Sequence, residues 1–378
     1  MYAVVVPTIR EECIGRFVSE WGRSFRRQDL RLIVIEDHPA RQFELPDWVE
    51  HYCRADITGM LGVERSRCIP VQSGGVRAFG FWLAAQDRAI DMIATLDDDC
   101  YPLPGGWADT HWARLAERYN HYWRRTIPGA WPRGVPYDDA VRGGVQAVMN
   151  MGLWEGVPDY DAPTQLLNPR TRLSGLDLRD YQFGLVPRGM YYPMCIMNVA
   201  FRREWAPAMY MPKLPNGMKR WDDIWCGVFS KKLADILGQA VIYGMPCIRH
   251  ERASNVWSNL RQEVGGIEVN ERLWRVVDAF VPTPGERRVH MLYKELAQHL
   301  LNNTALLGVE FEALGVAMIE WAELWSGDGD NNAGGGKGNA VAAQGTPAEI
   351  VDVSAPGGGG DADSNAAEAI RGSVAKHS

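Results

Sequence analysis

Long apolar runs are missing from this sequence. No stretch of the 378 residues approaches the ~20 consecutive apolar residues that cross a bilayer, so we expect no integral membrane segment. Residues 1–7 are too short and too uncharged at their front for a signal peptide. Both absences predict a soluble, cytoplasmic protein.

Paired cysteines are missing as well. The seven cysteines are an odd number, are spread along the chain and form no Cys-x-x-Cys pair. We therefore expect neither a disulfide framework nor a zinc site. A reducing cytoplasm is the compartment that this cysteine pattern favours.

An excess of positive charge is also absent. The formal net charge of −7 provides no overall basic surface. Nucleic-acid backbones and anionic membranes bind proteins mainly through such surfaces, so we expect no nucleic-acid partner.

Aromatic residues stop near Ser326. Residues 327–378 contain no Phe, Trp or Tyr, and Gly, Ala, Asp, Asn and Ser dominate there. Such a segment cannot bury enough apolar surface to offset its ordering entropy, which predicts a disordered tail. The alternative is a small module that folds on a partner, for which only residues 348–353 offer apolar surface.

What is present before that point is an alternation of strands and helices. Short apolar runs at 3–7, 30–35 and 92–96 alternate with helical patterns that include residues 19–25 and 76–90. This alternation is typical of a doubly wound, parallel α/β sheet.

Two further helical patterns follow residue 284. Apolar residues repeat at helical spacing over 289–300 and 311–325. They predict a helical extension at 284–326 that packs on a first domain at 1–283. No heptad repeat or interface patch is apparent for association between copies.

Acidic residues stand at the ends of two predicted strands. Asp37 follows one strand, and Asp97, Asp98 and Asp99 follow another. Ligands of open α/β sheets bind at this edge. Alternation along an extended chain points Asp97 and Asp99 one way and Asp98 the other. Two carboxylates on one side suit a divalent cation that bridges a diphosphate. The alternative interpretation of the triplet is an acidic turn exposed to solvent.

A histidine far along the chain could complete a cation site. His250 ends the apolar run 241–249. Beside the acidic triplet, it would make a mixed oxygen and nitrogen ligand set that tolerates manganese better than calcium. A lone histidine is more often structural, and His38, beside Asp37, is a weaker competitor.

A second acidic pair, Asp222 and Asp223, begins a predicted amphipathic helix that runs to about Leu237. Carboxylates at a helix start accept hydrogen bonds from exposed N–H groups and favour the dipole, which accounts for one of the two. The other is free to act as a base or to accept hydrogen bonds from substrate hydroxyls.

Residues 152–165 combine aromatic and acidic side chains, with Pro and Gly that predict a loop. Trp154 and Tyr160 could pack on a sugar ring, and Asp159 and Asp161 could bind its hydroxyls.

Taken together, these segments resemble the reversibly glycosylated polypeptide family, whose plant members are UDP-arabinopyranose mutases. The resemblance covers residues 4–321. It is carried by Thr-Leu-Asp-Asp-Asp-Cys at 95–100, Gly-Leu-Trp at 152–154, Pro-Asp-Tyr-Asp-Ala-Pro-Thr-Gln at 158–165, Pro-Met-Cys-Ile-Met-Asn-Val-Ala-Phe at 193–201 and Trp-Asp-Asp-Ile-Trp at 221–225. Gly-Met-Pro at 244–246, followed by His250 and by Ala-Ser-Asn at 253–255, completes the set.

The resemblance implies a GT-A fold with a Rossmann-like mixed sheet flanked by helices, a UDP-sugar ligand and a divalent metal, Mn²⁺ or Mg²⁺. By similarity, Asp97 and Asp99 form an Asp-x-Asp motif and His250 is the third protein ligand. The implied substrate-binding residues are Asp37, Arg54 and Asp56 near uridine, Arg77 near the diphosphate, and Asp98 and Asn198 within the matching strings.

The family is glycosylated on an arginine in an Arg-Gly-x-Pro-aromatic segment, which Arg133 matches, and a second arginine needed for activity matches Arg142. The chain departs from the family here, because Asp138 and Asp139 are inserted between the two arginines. Met151 stands where the plant proteins have His. A guanidinium is a poor nucleophile, so Arg133 needs a nearby carboxylate as proton acceptor if it binds the sugar covalently. The alternative is that Arg133 guides the diphosphate by its charge.

Three functions follow from this resemblance. The first is a mutase that interconverts UDP-arabinopyranose and UDP-arabinofuranose, with Asp222 or Asp223 stabilising the cationic sugar. The second is a transferase that moves the sugar to an acceptor or to the protein itself. The third is a UDP-sugar-binding subunit without activity. The resemblance also implies association between copies.

Overall fold

The structure is a computed structural model that describes residues 1–125, 127, 130–175, 183–215, 218–251 and 255–326. The predicted tail at 327–378 lies outside these residues, as do Ala253 and Ser254 of the last family string and the side chain of Asp139.

The first third of the chain forms parallel strands joined by helices, as predicted. Strand β1 pairs in parallel with β2 and β4, and β2 pairs in parallel with β3. The elements are β1 (Tyr2–Thr8), α1 (Glu11–Arg27), β2 (Arg31–Glu36), β3 (Val49–Tyr52), α2 (Arg54–Arg65), α3 (Arg77–Gln86) and β4 (Met92–Leu96).

The second part adds antiparallel neighbours, so the sheet is mixed. Its elements are β5 (Cys100–Pro102), α4 (Trp107–Ala116), β6 (Arg118–Tyr119), α5 (Asp139–Gly143), β7 (Val145–Gly156), α6 (Ala162–Leu167), β8 (Phe183–Leu185), β9 (Asn198–Arg202), α7 (Asp222–Leu237) and β10 (Ala240–His250). The sheet order is β3-β2-β1-β4-β9-β7-β10-β5, with β6 on β7 and β8 on β10. Strand β9 runs antiparallel to both β4 and β7. A Rossmann-like mixed sheet flanked by helices is thereby confirmed.

Apolar periodicity explains how helices and strands meet. All five residues of β4 are buried, because helices cover both faces of the sheet there. Helix α1 buries one stripe, made of Ile14, Phe17, Val18, Trp21 and Phe25, against that sheet. Helix α7 ends at Gly238, whose φ of 68° is left-handed and favours glycine.

Four helices follow the sheet: α8 (Val256–Asp278), α9 (Val289–Leu301), α10 (Thr304–Leu307) and α11 (Phe311–Glu323). Trp321 donates its indole N–H to the carbonyl of Pro207 at 2.9 Å and stacks on Tyr210. The two helices predicted after residue 284 are therefore present as α9 and α11, and α11 packs on the segment that follows β9. The domain boundary at 283/284 stays a prediction. Within the described residues, no helix is both long and apolar enough to cross a membrane.

Residues 152–165 are not one loop. The end of β7 extends to Gly156 because Leu153 to Gly156 pair with β10. Helix α6 begins at Ala162 because Asp161 caps it, accepting hydrogen bonds from the N–H and hydroxyl of Thr164 at 2.9 and 2.7 Å. The pairing of β7 with β10 thus outweighs the local preference of Gly and Pro for a loop. Only residues 157–161 connect β7 to α6.

Asn198 is a structural residue, which corrects its predicted role in substrate binding. Its side chain is fully buried, donates to the carbonyls of Leu153 and Pro246, and accepts from Trp107 at 2.8 Å. The imidazole of His111 lies 3.1 Å from the same side-chain oxygen. This network joins β9 to β7 and β10, so the amide has no donor or acceptor left for a sugar.

His111 makes the stability of this network depend on pH. Burial lowers the pKa of His111 from 6.5 to about 4, against the opposing effect of its hydrogen bond to Asn198. Between these two values the unfolded chain binds a proton that the folded chain excludes. The contribution of neutral His111 to the free energy of unfolding is therefore fully present above about pH 6.5. It falls by about 3 kcal/mol as the pH drops to about 4.

We expect His111→Gln to reduce the loss of unfolding free energy between pH 6.5 and pH 4 by about that amount, measured by urea denaturation at both pH values. His299→Gln on α9 is the control and should leave the pH dependence of the wild type intact. An unchanged acid-side slope in His111→Gln would contradict the assignment.

Candidate functional site

A cavity of about 1140 Å³ opens at the carboxyl ends of the central strands. Arg10 enters it two residues after β1, and Asp97 enters it directly after β4. Predicted site residues from distant parts of the sequence line its wall: Arg77, Asp97, Asp99, Trp154, Asp159, Tyr160, Asp161, Asp222, Asp223 and His250.

Asp97, Asp99 and His250 form what we name the cation cluster. The turn after β4 and the end of β10 meet because β5, which follows the triplet, pairs antiparallel with β10 at His250. The Nε2 atom of His250 lies 3.9 Å from Oδ1 of Asp99. Its Nδ1 atom lies 2.7 Å from the carbonyl of Val157 and must donate to it. The Nε2 lone pair is therefore left to face the carboxylate.

This donor set fits a divalent cation. Burial raises the pKa of Asp99, the Asp97 carboxylate adds to that rise, and His250 and Arg10 oppose it. A cation among these atoms would relieve the repulsion between the carboxylates. A histidine whose other nitrogen donates to a backbone carbonyl is the usual arrangement of a metal ligand.

Two arginines border the cation cluster. Arg77 is buried, donates to Asp97 at 2.5 Å and is held by Thr95 at 2.9 Å. Arg10 donates to Asp98 and also lies 3.4 Å from Asp99. Both guanidinium groups line the cavity, so an anion in it would meet positive charge beside the carboxylates.

Asp98 does not face the cavity. Its carboxylate accepts hydrogen bonds from the Thr8 hydroxyl at 2.6 Å and from Arg10. Asp97 and Asp99 line the cavity and Asp98 does not, as the predicted alternation requires, and the substrate-binding role of Asp98 stays a prediction. Asp98 positions Arg10, which is the group that reaches the cavity.

A second group, which we name the acid–thiol cluster, consists of Asp159, Cys195 and Asp223. Their ligand atoms lie within 4.8 Å of one another, and all three residues line the same cavity. Burial raises the pKa of Asp223 well above its usual range, and the carboxylates of Asp222 and Asp159 add to the rise. Arg220 lies 4.0 Å from Asp159 and offsets part of this charge.

Asp222 is held by a residue from the other side of the cavity. Its Oδ2 atom accepts a hydrogen bond from the Ser73 hydroxyl at 2.7 Å, and the backbone N–H of Ser73 donates to Asp37 at 3.2 Å. Asp223 accepts from its neighbour Ile224 at 2.9 Å near the start of α7. No side chain caps the start of α7 at Trp221, so which member of the pair serves the helix and which serves the substrate stays a prediction.

The three residues expected near uridine lie at different distances from the cavity. Burial raises the pKa of Asp37, which lies behind Ser73 at the cavity margin. Arg54 donates to the carbonyls of Ile69 and Pro70 and so holds the loop before Ser73. Asp56 accepts from the N–H of Cys53 at 2.9 Å as the capping residue of α2. Neither Arg54 nor Asp56 is part of the cavity lining, and their predicted position near uridine stays a prediction.

Arg133 and Arg142 lie apart from the cavity lining. Arg133 is exposed, and Arg142 folds over Tyr137 with its guanidinium carbon 4.1 Å from the ring centre. Arg142 also donates to the carbonyls of Pro136 and Val135. Arg142 therefore stabilises the segment that follows Arg133. Arg142 is not part of the cavity lining that contains Asp222 and Asp223.

Sequence reasoning missed several cavity residues: Arg10, Ser73, Cys195, Arg220, Trp221 and Glu263. Arg10 had a usable signal, because it follows a strand at the ligand-binding edge of the sheet. Glu263 had none, because its helix lies beyond β10 and only packing brings it to Arg220, at 2.9 Å.

Helix α8 borders the cavity and holds Trp221, the residue before α7, against it. The Trp221 indole donates to the carbonyl of Glu263 at 2.9 Å. A side chain at Gly266 would stand 2.1 Å from the indole nitrogen, so the close approach of the ring requires glycine there.

The chain matches the model of the family described as reversibly glycosylated polypeptide over residues 2–329. It is 32% identical over 338 residues to probable UDP-arabinopyranose mutase 1 of Pisum sativum, covering 85% of this chain and 89% of that protein. It is 32% identical over 339 residues to UDP-arabinopyranose mutase 1 of Arabidopsis thaliana, covering 85% and 91%. Among solved structures, S. aureus TarS 1-349 matches 85% of this chain and 89% of that one, with 9% identity and a TM-score of 0.34.

The cation cluster makes a direct binding prediction. We expect Asp99→Asn to weaken Mn²⁺ binding by about tenfold or more, because it removes a charged ligand from a partly buried set. Free Mn²⁺ measured by electron paramagnetic resonance during titration reports the affinity. Asp109→Asn, at an exposed carboxylate on α4, is the control, and equal affinities of both variants would contradict the site.

Proposed function

The chain belongs to the reversibly glycosylated polypeptide family, and on that premise we propose that it is a UDP-arabinopyranose mutase with a GT-A-type fold. The enzyme interconverts the pyranose and furanose forms of UDP-arabinose. One observation carries the proposal: the cation cluster and the acid–thiol cluster open into one cavity of about 1140 Å³. A diphosphate and its sugar need these two environments side by side.

Asp97, Asp99 and His250 would hold a divalent cation, Mn²⁺ or Mg²⁺. Its chemistry would be that of a Lewis acid, which neutralises the UDP leaving group as the anomeric C–O bond breaks. Arg10 and Arg77 add fixed positive charge at the same end of the cavity. Their ion pairs with the aspartates keep both guanidinium groups oriented before substrate arrives.

The acid–thiol cluster would bind the sugar. During a change of ring size, the hydroxyl that closes the new ring loses a proton and the ring oxygen that opens gains one. Asp223 suits this exchange because its raised pKa allows it to hold and return a proton. Asp222, kept in place by Ser73, would stabilise positive charge at the anomeric carbon.

Ser73 also joins the sugar end to the nucleoside end. Its N–H donates to Asp37, which we predict to lie near uridine, while its hydroxyl donates to Asp222. Trp154 also lines the cavity, where its ring would pack on the sugar.

All seven cysteines are free thiols, which supports our proposal of a reducing, cytoplasmic setting.

The decisive experiment is incubation of UDP-arabinopyranose with the protein and Mn²⁺, followed by chromatography of the nucleotide sugars. The wild type should form UDP-arabinofuranose, and Asp223→Asn should lower kcat by about a hundredfold with UDP binding retained. Asp29→Asn, in the turn between α1 and β2 and outside the cavity lining, is the control. If the wild type binds UDP but does not interconvert the two sugars, the proposal of a mutase is wrong and a UDP-sugar-binding subunit without activity is favoured.

Self-glycosylation is the second candidate function, and the exposure of Arg133 favours it. A guanidinium on the surface can receive a sugar from another molecule of the protein, with a carboxylate such as that of Asp138 taking its proton. A role as the nucleophile inside the cavity would need a different conformation, because Arg133 does not line the cavity.

This arrangement predicts that Arg133→Lys abolishes the sugar adduct and leaves mutase turnover within about twofold, since the residue lies away from the reacting groups. Intact-mass spectrometry after incubation with the UDP-sugar reports the adduct, and chromatography reports turnover. Arg124→Lys serves as a matched control. Loss of turnover together with the adduct would instead make Arg133 part of the reaction.

A further inference from the structure

A second cavity, of about 350 Å³, lies on the other face of β7. Leu153 and Glu155 line it, whereas Trp154, between them, lines the larger cavity. Successive side chains of a strand point to opposite faces, so β7 separates the two cavities. Among the described residues, none lines both. We name the second cavity the β7 pocket. Its volume falls within the range of small-molecule sites, about 300–1,000 Å³.

The wall of the β7 pocket is largely apolar. Trp107 at the start of α4, Leu153 on β7, and Met245 and Pro246 on β10 line it. The polar atoms of these residues are already used, because the Trp107 indole donates to Asn198 and the carbonyls of Leu153 and Pro246 accept from the same amide. A ligand would therefore meet mostly apolar surface.

Glu155 is the exception in this wall. It is half-buried and supplies the only charge among the described residues that line the pocket. A Cβ atom added at Gly175, which also lines the pocket, would stand 2.8 Å from Oε1 of Glu155, so the carboxylate lies at the wall. No described residue donates a hydrogen bond to this carboxylate or forms an ion pair with it. A carboxylate beside apolar surface favours a cation as its partner.

The thiol of Cys247 lies near this carboxylate and also lines the pocket. Burial raises the pKa of Cys247 to about 12, and the charge of Glu155 adds to the rise. The thiol therefore stays protonated at neutral pH and is a poor metal ligand. One carboxylate and one neutral thiol are also fewer ligands than a metal site needs. The charge of Glu155 is thus left for an organic cation.

An anionic ligand fits this pocket less well. Helix α4 begins beside the pocket at Trp107, and the N-terminus of a helix favours negative charge. Asp109, in the first turn of α4, already places a carboxylate at that end of the helix. An anion in the pocket would also be repelled by Glu155.

We propose that the β7 pocket binds a small organic cation, an amine that carries a short alkyl or aryl group. The ammonium group would pair with Glu155, and the apolar group would lie against Leu153 and Met245. This site is separate from the UDP-sugar cavity and does not depend on the proposed function.

Methyl NMR of the full chain, with ¹³C in the methyl groups of methionine, tests the proposal with hexylammonium as the probe. Met245 lines the β7 pocket, whereas Met151 and Met211 line the larger cavity, so their signals report which cavity the probe enters. Single Met→Leu variants assign the three signals. We expect the Met245 signal to shift with a Kd of about 1 mM, which suits so small a ligand. Shifts of Met151 and Met211 without Met245 would place the cation in the larger cavity and overturn the proposal.

Removal of the charge tests the role of Glu155. Glu155→Gln should raise the Kd for hexylammonium by about tenfold, because the variant keeps the shape of the side chain and loses its charge. Hexanol, the neutral probe, should bind wild type and variant with Kd values within about twofold. Glu312→Gln, at an exposed glutamate on α11, is the matched control and should bind hexylammonium as the wild type does. Circular dichroism verifies that each variant is folded. A hexylammonium Kd that Glu155→Gln leaves unchanged, or a Met245 signal that does not move in the wild type, contradicts the site.

Discussion

Negative charge confined in one cavity is the constraint on which the site depends. Asp97 and Asp99 stand at the end of β4, and Asp159 and Asp223 meet in the same space. Carboxylates removed from water at short range cannot all stay ionised unless positive charge meets them. Arginines supply part of that charge, and we propose that a divalent cation supplies the rest.

The mixed sheet makes this concentration of charge possible. Parallel strands end at one edge, where the side chains that follow them turn into the cavity. Antiparallel β9 then connects β4 to β7, and β10 carries His250 back to the acidic triplet. The buried amide network around Asn198 ties these strands together, so the positions of the charged groups depend on polar groups that no substrate touches.

Several residues assigned by resemblance act one step behind the cavity. Asp98 holds Arg10, and Arg54 holds the loop that leads to Ser73. A motif match finds residues that belong to the site as a whole. It cannot tell a group that reaches into the cavity from a group that orients its neighbour, because both occupy the same short string.

The sequence by itself determined the alternation of strands and helices, the family, and the acidic residues at the ends of strands. These properties depend on local periodicity and on short strings, so they can be read along the chain. Only the tertiary structure decided that Asp223 meets Asp159 and Cys195, that Glu263 reaches Arg220, and that β7 separates two cavities. Such contacts depend on how elements pack across long sequence separations, and no local pattern records which face of a strand borders a cavity.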